Sequence, residues 1–593
     1  MSRIGRRLAF AAATMLLNTI ALPAQLTVPE RTHGMRTSTH AEVLAFIDSL
    51  QHRGAHLVVG TLGESTLGKR IPYLILSRPQ VSTPAQAHAT GKPILYIEAN
   101  IHAGEVEGKE AVQMLARDLT LGYLRPLLDS VVILFVPIYN GDGNDAMGPN
   151  DLNRGEQEGP PMEGLRANGQ GYDLNRDYVK QEAPETRASL AFITRWNPDL
   201  FMDLHTTDGS YHGYDLTWSP GLNPNHTPTN DWVQDTLLEQ VRARLIARDH
   251  VQTYPYGNFD GSNAAPTGWR SYESLPRYGT NLQGMLRVSV LSEAMSHENF
   301  MRRIDATYDF VLETIRYANE HRVEMRRREA QSAAQRPDSV VVRGNDLRSP
   351  DPHISPVRMD SVLVAVTHLA TEPRSDSAAR ANAPRTPRIA DTVGACVAGA
   401  GRGRGGRGGG GRGAGGFGGR GGGGRGVNPG DSTRDVVELT GAANAVWMPV
   451  RDRFGPVRKE SIPAAYVFDA GYRPVVALMR RIGIAVSTTT APWTGPMSEF
   501  MVDSVVHERF FEGHCGTMVD GSWSAPTTAA IPSGSFVVST NQRFGMLAAF
   551  LLEPASEDGY TFWNFFDAGV KQGAAAPVRR LAKLPATPLK AVP

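Results

Sequence analysis

At 593 residues the chain exceeds what one compact core organises, and length alone predicts about two to four domains. Its 61 Lys and Arg against 60 Asp and Glu leave a formal charge of +1, which gives no electrostatic case for a nucleic-acid partner or for stable insertion in a membrane. Hydrophobic residues at 41% and charged residues at 20% are those of a chain that mostly folds.

The N-terminus carries Arg3, Arg6 and Arg7, then an apolar stretch from Leu8 to Leu22, then Pro23, Ala24 and Gln25. A basic head, a short apolar run and a small residue at the cut site predict a signal peptide over residues 1–24 and an exported protein, periplasmic or extracellular. The run is shorter than the roughly 20 apolar residues of a spanning helix, and Asn18 interrupts it. Cys396 and Cys515 are the only cysteines, so a thiolate-held metal is not expected; whether the two pair stays open.

A first folded domain is expected over residues 36–330, where buried-type strands alternate with helical periodicity. Strands are predicted at 93–100, 131–138, 200–204 and 287–291, and helices at 109–119, 185–196, 232–248 and 300–328. This alternation predicts an α/β fold, a mixed and largely parallel sheet with helices on both faces. A smaller C-terminal α/β module is expected to begin at 338–372 and to continue over 431–593. Between its parts, residues 373–430 are expected to be a disordered insert: the nearly pure Gly and Arg run Gly399 to Gly426 cannot bury apolar surface, and the flanking stretch rich in Ser, Ala, Pro and Arg has the same character.

His102-Ala-Gly-Glu105 directly follows the strand ending at Asn100, and a single backbone turn there, eased by Gly104, points both side chains at one ion. His-x-x-Glu alone is weak: His321-Arg-Val-Glu324 has the same spacing inside an Arg-rich, solvated helix end and is read as surface. Position separates them. Three apolar strands end in polar groups, at His102 and Glu105, at His205, and at Glu293, and such groups are costly in a core but natural beyond the carboxyl ends of an open sheet. The metal ligands are therefore expected to be His102, Glu105 and His205.

Together these residues resemble the M14 zinc carboxypeptidase family. The matches are collinear: Asn100-Ile-His-Ala-Gly-Glu105, Val136-Pro-Ile-Tyr-Asn-Gly-Asp-Gly143, Gly171-Tyr-Asp-Leu-Asn-Arg176, Ala183-Pro-Glu-Thr186, Asp199-Leu-Phe-Met-Asp-Leu-His205 and Val290-Leu-Ser-Glu293. Leu551-Leu-Glu-Pro554 and Asp558-Gly-Tyr-Thr-Phe-Trp-Asn564 resemble the C-terminal extension of large exported bacterial members. The resemblance implies one Zn²⁺ per chain, a peptide substrate, and hydrolysis that releases C-terminal residues. It implies Glu293 as general base, Arg166 as the group that polarises the scissile carbonyl, and Asn175 and Arg176 as the grip on the terminal carboxylate. Asp173 would accept the second imidazole N–H of His102, and Tyr278 would contact substrate, with Tyr272 as the other tyrosine candidate.

Asp-Leu-Asn-Arg occurs twice, and the copy at 151–154, in a Gly/Pro/Asn-rich loop, is read as a surface echo. Arg166 lies closer to Asn175 than in the digestive members. Two other activities fit the same scaffold, deacylation and cleavage of cell-wall peptides. A reading from another class is a non-enzymatic binder of anionic polymers acting through the Gly-Arg tract. The oligomeric state is not legible.

Overall fold

The computed structural model describes residues 25–225, 227–344, 357–384, 396 and 432–592. The expected signal peptide and the Gly399 to Gly426 run lie outside the described residues. No helix among the described residues is long and apolar enough to cross a membrane.

The N-terminal half is built on an eight-stranded sheet. Its strands are β1 (Val58–Glu64), β2 (Arg70–Leu76), β3 (Ile94–Ala99), β4 (Val132–Val136), β5 (Leu200–Thr206), β6 (Leu216–Pro220), β7 (Thr253–Pro255) and β8 (Val288–Ala294). They run in the order β1-β2-β4-β3-β5-β8-β6-β7. The central four, β4-β3-β5-β8, are mutually parallel; β1 and β2 are added antiparallel on one side, and on the other β6 runs antiparallel to β8 with β7 parallel to β6.

The central strands are apolar along nearly their whole length because both faces are covered. Leu95, Ile97 and Ala99 of β3 enter the cluster under Glu107–Thr120 and Phe300–Glu320, while Ile94 and Tyr96 enter the cluster under Pro184–Trp196. This alternation of neighbours to opposite faces is the two-residue period of a strand. The second cluster runs on without a break into the C-terminal module through Tyr466, Val475, Met479 and Leu551. The two halves thus share one apolar core on that face.

The helix expected over 300–328 is two helices, Phe300–Glu320 and Arg322–Ala334, meeting at His321. The apolar stripe that holds the first helix to the sheet ends at Ala318, and the second helix buries only Met325, so packing no longer dictates its direction. His321 stacks on Tyr317 at 4.1 Å, and Glu324 pairs with Arg327 and Arg328. The two ends of that His-x-x-Glu face different partners.

The C-terminal module has its own eight-stranded sheet, antiparallel at every pair. The helices Arg473–Arg481 and Gly545–Leu552 accompany it. The strands Arg358–Pro373 and Thr433–Arg451 pair antiparallel and join Asn258–Ser262 and Ala265–Arg270 in a separate four-stranded sheet, on the N-terminal half. A short helix, Ser377–Ala381, follows the first of them. Cys396 and Cys515 form a disulfide with a Cα–Cα distance of 5.6 Å, which answers the question that the sequence leaves open.

Candidate active site

Parallel register places the site. On neighbouring strands β5 and β8, His205 stands opposite Glu293, and on β3 and β5, Glu98 stands opposite Asp203. His102 and Glu105 follow β3 through a turn closed by the Glu105 N–H to the His102 carbonyl at 3.0 Å, with Asn100 in the left-handed region at φ 66°. Gly104 is needed for space: a Cβ there would lie 3.1 Å from the Gly164 carbonyl oxygen and 3.5 Å from Arg154 Cδ.

Ligating atoms of His102, Glu105 and His205 all lie within 4.8 Å of one another, and all three side chains are buried. Each histidine directs its Nε2 at a carboxylate, His102 to Asp173 Oδ1 at 2.9 Å and His205 to Asp203 Oδ2 at 2.8 Å. Donating there fixes the tautomer and leaves both Nδ1 lone pairs turned inward. Those two Nδ1 atoms stand 3.2 Å apart, with Glu105 Oε1 3.0 Å from one and Oε2 2.8 Å from the other. Lone pairs and a carboxylate converging on one point repel unless a cation lies between them, so the donor set fits a divalent ion such as zinc.

The charges reinforce the arrangement. Burial works against the ionised form of Glu105, but its contacts with His102 and Arg154 outweigh it and hold the carboxyl well below its usual range. Burial likewise disfavours ionised Asp173, yet Arg166 and His102 hold it well below the ordinary aspartate value. For Glu293 burial dominates and pushes the carboxyl well above its usual range; the attraction of His205 opposes this, while Glu105 and Asp208 add to it.

The structure corrects the reading of the first Asp-Leu-Asn-Arg copy. Arg154 is buried at 6% exposure, and its guanidinium donates to Glu105 Oε1 at 2.9 Å and to the carbonyls of Thr206 and Thr207 at 2.8 and 2.9 Å. It ties the ligand after β3 to the end of β5, which carries His205. Replacing Arg154 with Met is expected to weaken zinc binding about 10–100-fold, the usual cost of losing a group that orients a metal ligand. Competition against a chelator of known affinity measures this, and unchanged affinity would remove Arg154 from the support of the site.

The remaining expected residues gather in the same cleft. His102, Glu105, His205, Glu293, Arg166, Asn175, Arg176 and Tyr278 line one pocket, joined by Thr206, Asp208, Tyr256, Tyr272, Thr280 and Leu291. Arg166 is held by Asp173 Oδ2 at 2.8 Å and touches Glu105 Oε1 at 3.2 Å, and its side chain keeps 34% exposure toward the cleft. Asn175 Oδ1 accepts the Gly279 N–H at 2.9 Å. Arg176 lies over the Tyr278 ring, its Cζ 3.9 Å from the centroid, and donates to the Asn175 carbonyl at 2.9 Å. The Tyr278 hydroxyl donates to Glu273 at 3.1 Å. Tyr272 packs beside Tyr278 at 5.3 Å, so both tyrosine candidates share this wall.

Sequence reasoning missed Arg154, Asp203 and the pocket residues Asp208 and Tyr256. Asp203 was within reach, because residues two apart on a strand share a face and Asp203 precedes His205 by two.

The Peptidase_M14 family model, zinc carboxypeptidase, matches residues 43–276. Carboxypeptidase D of Rattus norvegicus is 31% identical over 183 residues, 28% of this chain and 13% of that protein. Carboxypeptidase 2 of Trichophyton rubrum is 21% identical over 535 residues, 87% of this chain and 81% of that protein. A metallo-carboxypeptidase from Burkholderia cenocepacia superposes with a TM-score of 0.35 at 17% identity, over 48% of this chain and 70% of that one. The family match ends before Glu293, whose place in the site rests on register and shared lining. Residues 43–276 thus match the family model for zinc carboxypeptidases, and within that span lies a His-Glu-His cluster that could hold a metal ion.

Proposed function

We propose that the chain is a zinc-dependent peptidase that removes residues from the C-terminal ends of peptides. One observation carries this reading: the three ligands, the Glu293 carboxyl and the Asn175/Arg176 pair line a single pocket. His102, Glu105 and His205 would hold the ion, which when bound supplies a Lewis acid that acidifies water and polarises a carbonyl. Glu293 accepts the proton of the attacking water and returns it to the leaving amine. Arg166, planar and always charged, donates to the oxygen that gains negative charge. Arg176 and Asn175 receive the terminal carboxylate, so the last peptide bond is the one presented to the base.

The test compares a blocked dipeptide carrying a free C-terminal carboxylate with its amide, with and without chelator. The free acid is expected to be cleaved about 100-fold faster than the amide, the worth of one or two charge-assisted hydrogen bonds, and chelation should abolish both rates. Equal rates on acid and amide would overturn the exopeptidase reading in favour of an amidase or endopeptidase. Export belongs to the same proposal. It is supported by the basic-then-apolar N-terminal sequence and by the Cys396–Cys515 disulfide, a bond that persists in oxidising compartments.

A further inference from the structure

The C-terminal module reaches the segments that carry the carboxylate grip at two points. The first is the tip of the hairpin formed by Trp493–Phe511 and His514–Trp523, whose turn residues Glu512 and Gly513 both have positive φ, 48° and 88°. Two positive φ values in succession make the tight turn that favours Asn-Gly, and glutamate pays a steric penalty at the first position. A non-glycine residue kept in that conformation points to a use for its side chain. Here the use is visible: Glu512 Oε2 accepts the backbone N–H of Asp173 at 3.0 Å, across 339 residues of sequence. Asp173 begins the short turn Leu174–Arg176, accepts the Asn175 N–H at 2.9 Å, and carries the second imidazole N–H of His102.

The second point is Asp558, in the Asp558 to Asn564 run. Its carboxylate takes the Arg277 backbone N–H at 2.6 Å and the Arg277 Nε at 2.8 Å, and the Trp563 indole holds it from behind at 2.9 Å. Arg277 immediately precedes Tyr278, the ring on which Arg176 lies, and its carbonyl accepts the Tyr178 N–H at 3.3 Å. One contact therefore fixes the segment that bears Asn175 and Arg176, and the other fixes the segment that bears the tyrosine beneath Arg176.

We propose that the C-terminal module positions the terminal-carboxylate grip of the peptidase domain, with Glu512 as its positioning residue. The inference rests on the functional reading above, and the test keeps the two separable. In the full-length chain, Glu512→Gly removes the carboxylate and also relieves the positive-φ strain. The variant is expected to be at least as stable as the parent, because glycine adopts this backbone freely, while KM for the free-acid dipeptide rises about tenfold for the lost hydrogen bond. Zinc content and the rate on the amide should stay as in the parent. Glu512→Gln, whose amide oxygen can accept the same N–H, should bring KM back to within about twofold. A purely structural role predicts the opposite pattern, stability and KM worsening together. Hydrogen exchange at the Asp173 amide supplies a readout that needs no catalysis and should quicken in Glu512→Gly. Exchange and KM both unchanged would overturn the inference. If the parent fails to distinguish acid from amide, the exopeptidase reading falls, and exchange at Asp173 alone decides whether Glu512 holds that segment.

Discussion

Replacing Glu293 with Gln is expected to lower kcat for peptide hydrolysis by about 10²–10⁴-fold, the usual contribution of a positioned acid-base group, while zinc content stays at one per chain. The separation follows from where Glu293 sits. It is on β8, in register with His205 on β5, and lines the same pocket as the ligands, yet it is not one of the three groups whose atoms converge. Glutamine keeps its volume and an acceptor oxygen but cannot carry a proton from water to the leaving amine. Neighbouring ligands therefore keep their packing, and only proton transfer is lost. Metal analysis and steady-state kinetics on the same preparation decide it. Full activity would remove Glu293 from the mechanism, and loss of zinc in parallel would make it a ligand.

The parts of this site that sequence discloses are those that contradict their surroundings. His205 and Glu293 end strands that are otherwise apolar, and His102 and Glu105 follow another, so each is a polar residue where packing alone would place none. Arg154 offers no such contradiction. It lies in a loop rich in Gly, Pro and Asn, where an arginine is unremarkable, and its burial arises because the loop folds back onto Glu105, 49 residues earlier. Glu512 and Asp558 are further from legibility still, since their partners lie 339 and 281 residues away and are set by how two modules meet. Periodicity also carried the helix at 300–328 past His321, because a polar helical stretch looks continuous in sequence when nothing but core contact defines its axis. Local pattern reads the sheet and the residues at its strand ends; contacts closed across the chain complete the site.

Replacing His205 with Ala is expected to have two distinct consequences, and a second substitution can separate them. Loss of one of three ligands should weaken zinc binding by roughly 10³-fold, a fair share of the binding free energy of a protein zinc site. The variant should then lose its metal on dialysis and its hydrolysis with it. The second consequence concerns Asp203, a fully buried carboxylate whose Oδ2 is satisfied by His205 and whose Oδ1 has no hydrogen-bond partner among the described residues. It stands beside Glu98, which burial and then the charge of Asp203 push up to about 8. Without the imidazole, that carboxylate is buried and unpaired, and breaking a buried pair from one side costs about 3–5 kcal/mol. His205→Ala should therefore melt well below the parent protein, even when both are compared free of metal. Adding Asp203→Asn removes the stranded charge, so the double variant should regain much of the stability while still failing to hold zinc. Stability restored without metal would show that the two roles of His205 reside on its two ring nitrogens, Nδ1 toward the ion and Nε2 toward Asp203. A His205→Ala protein that retained stoichiometric zinc after dialysis would overturn the ligand set itself.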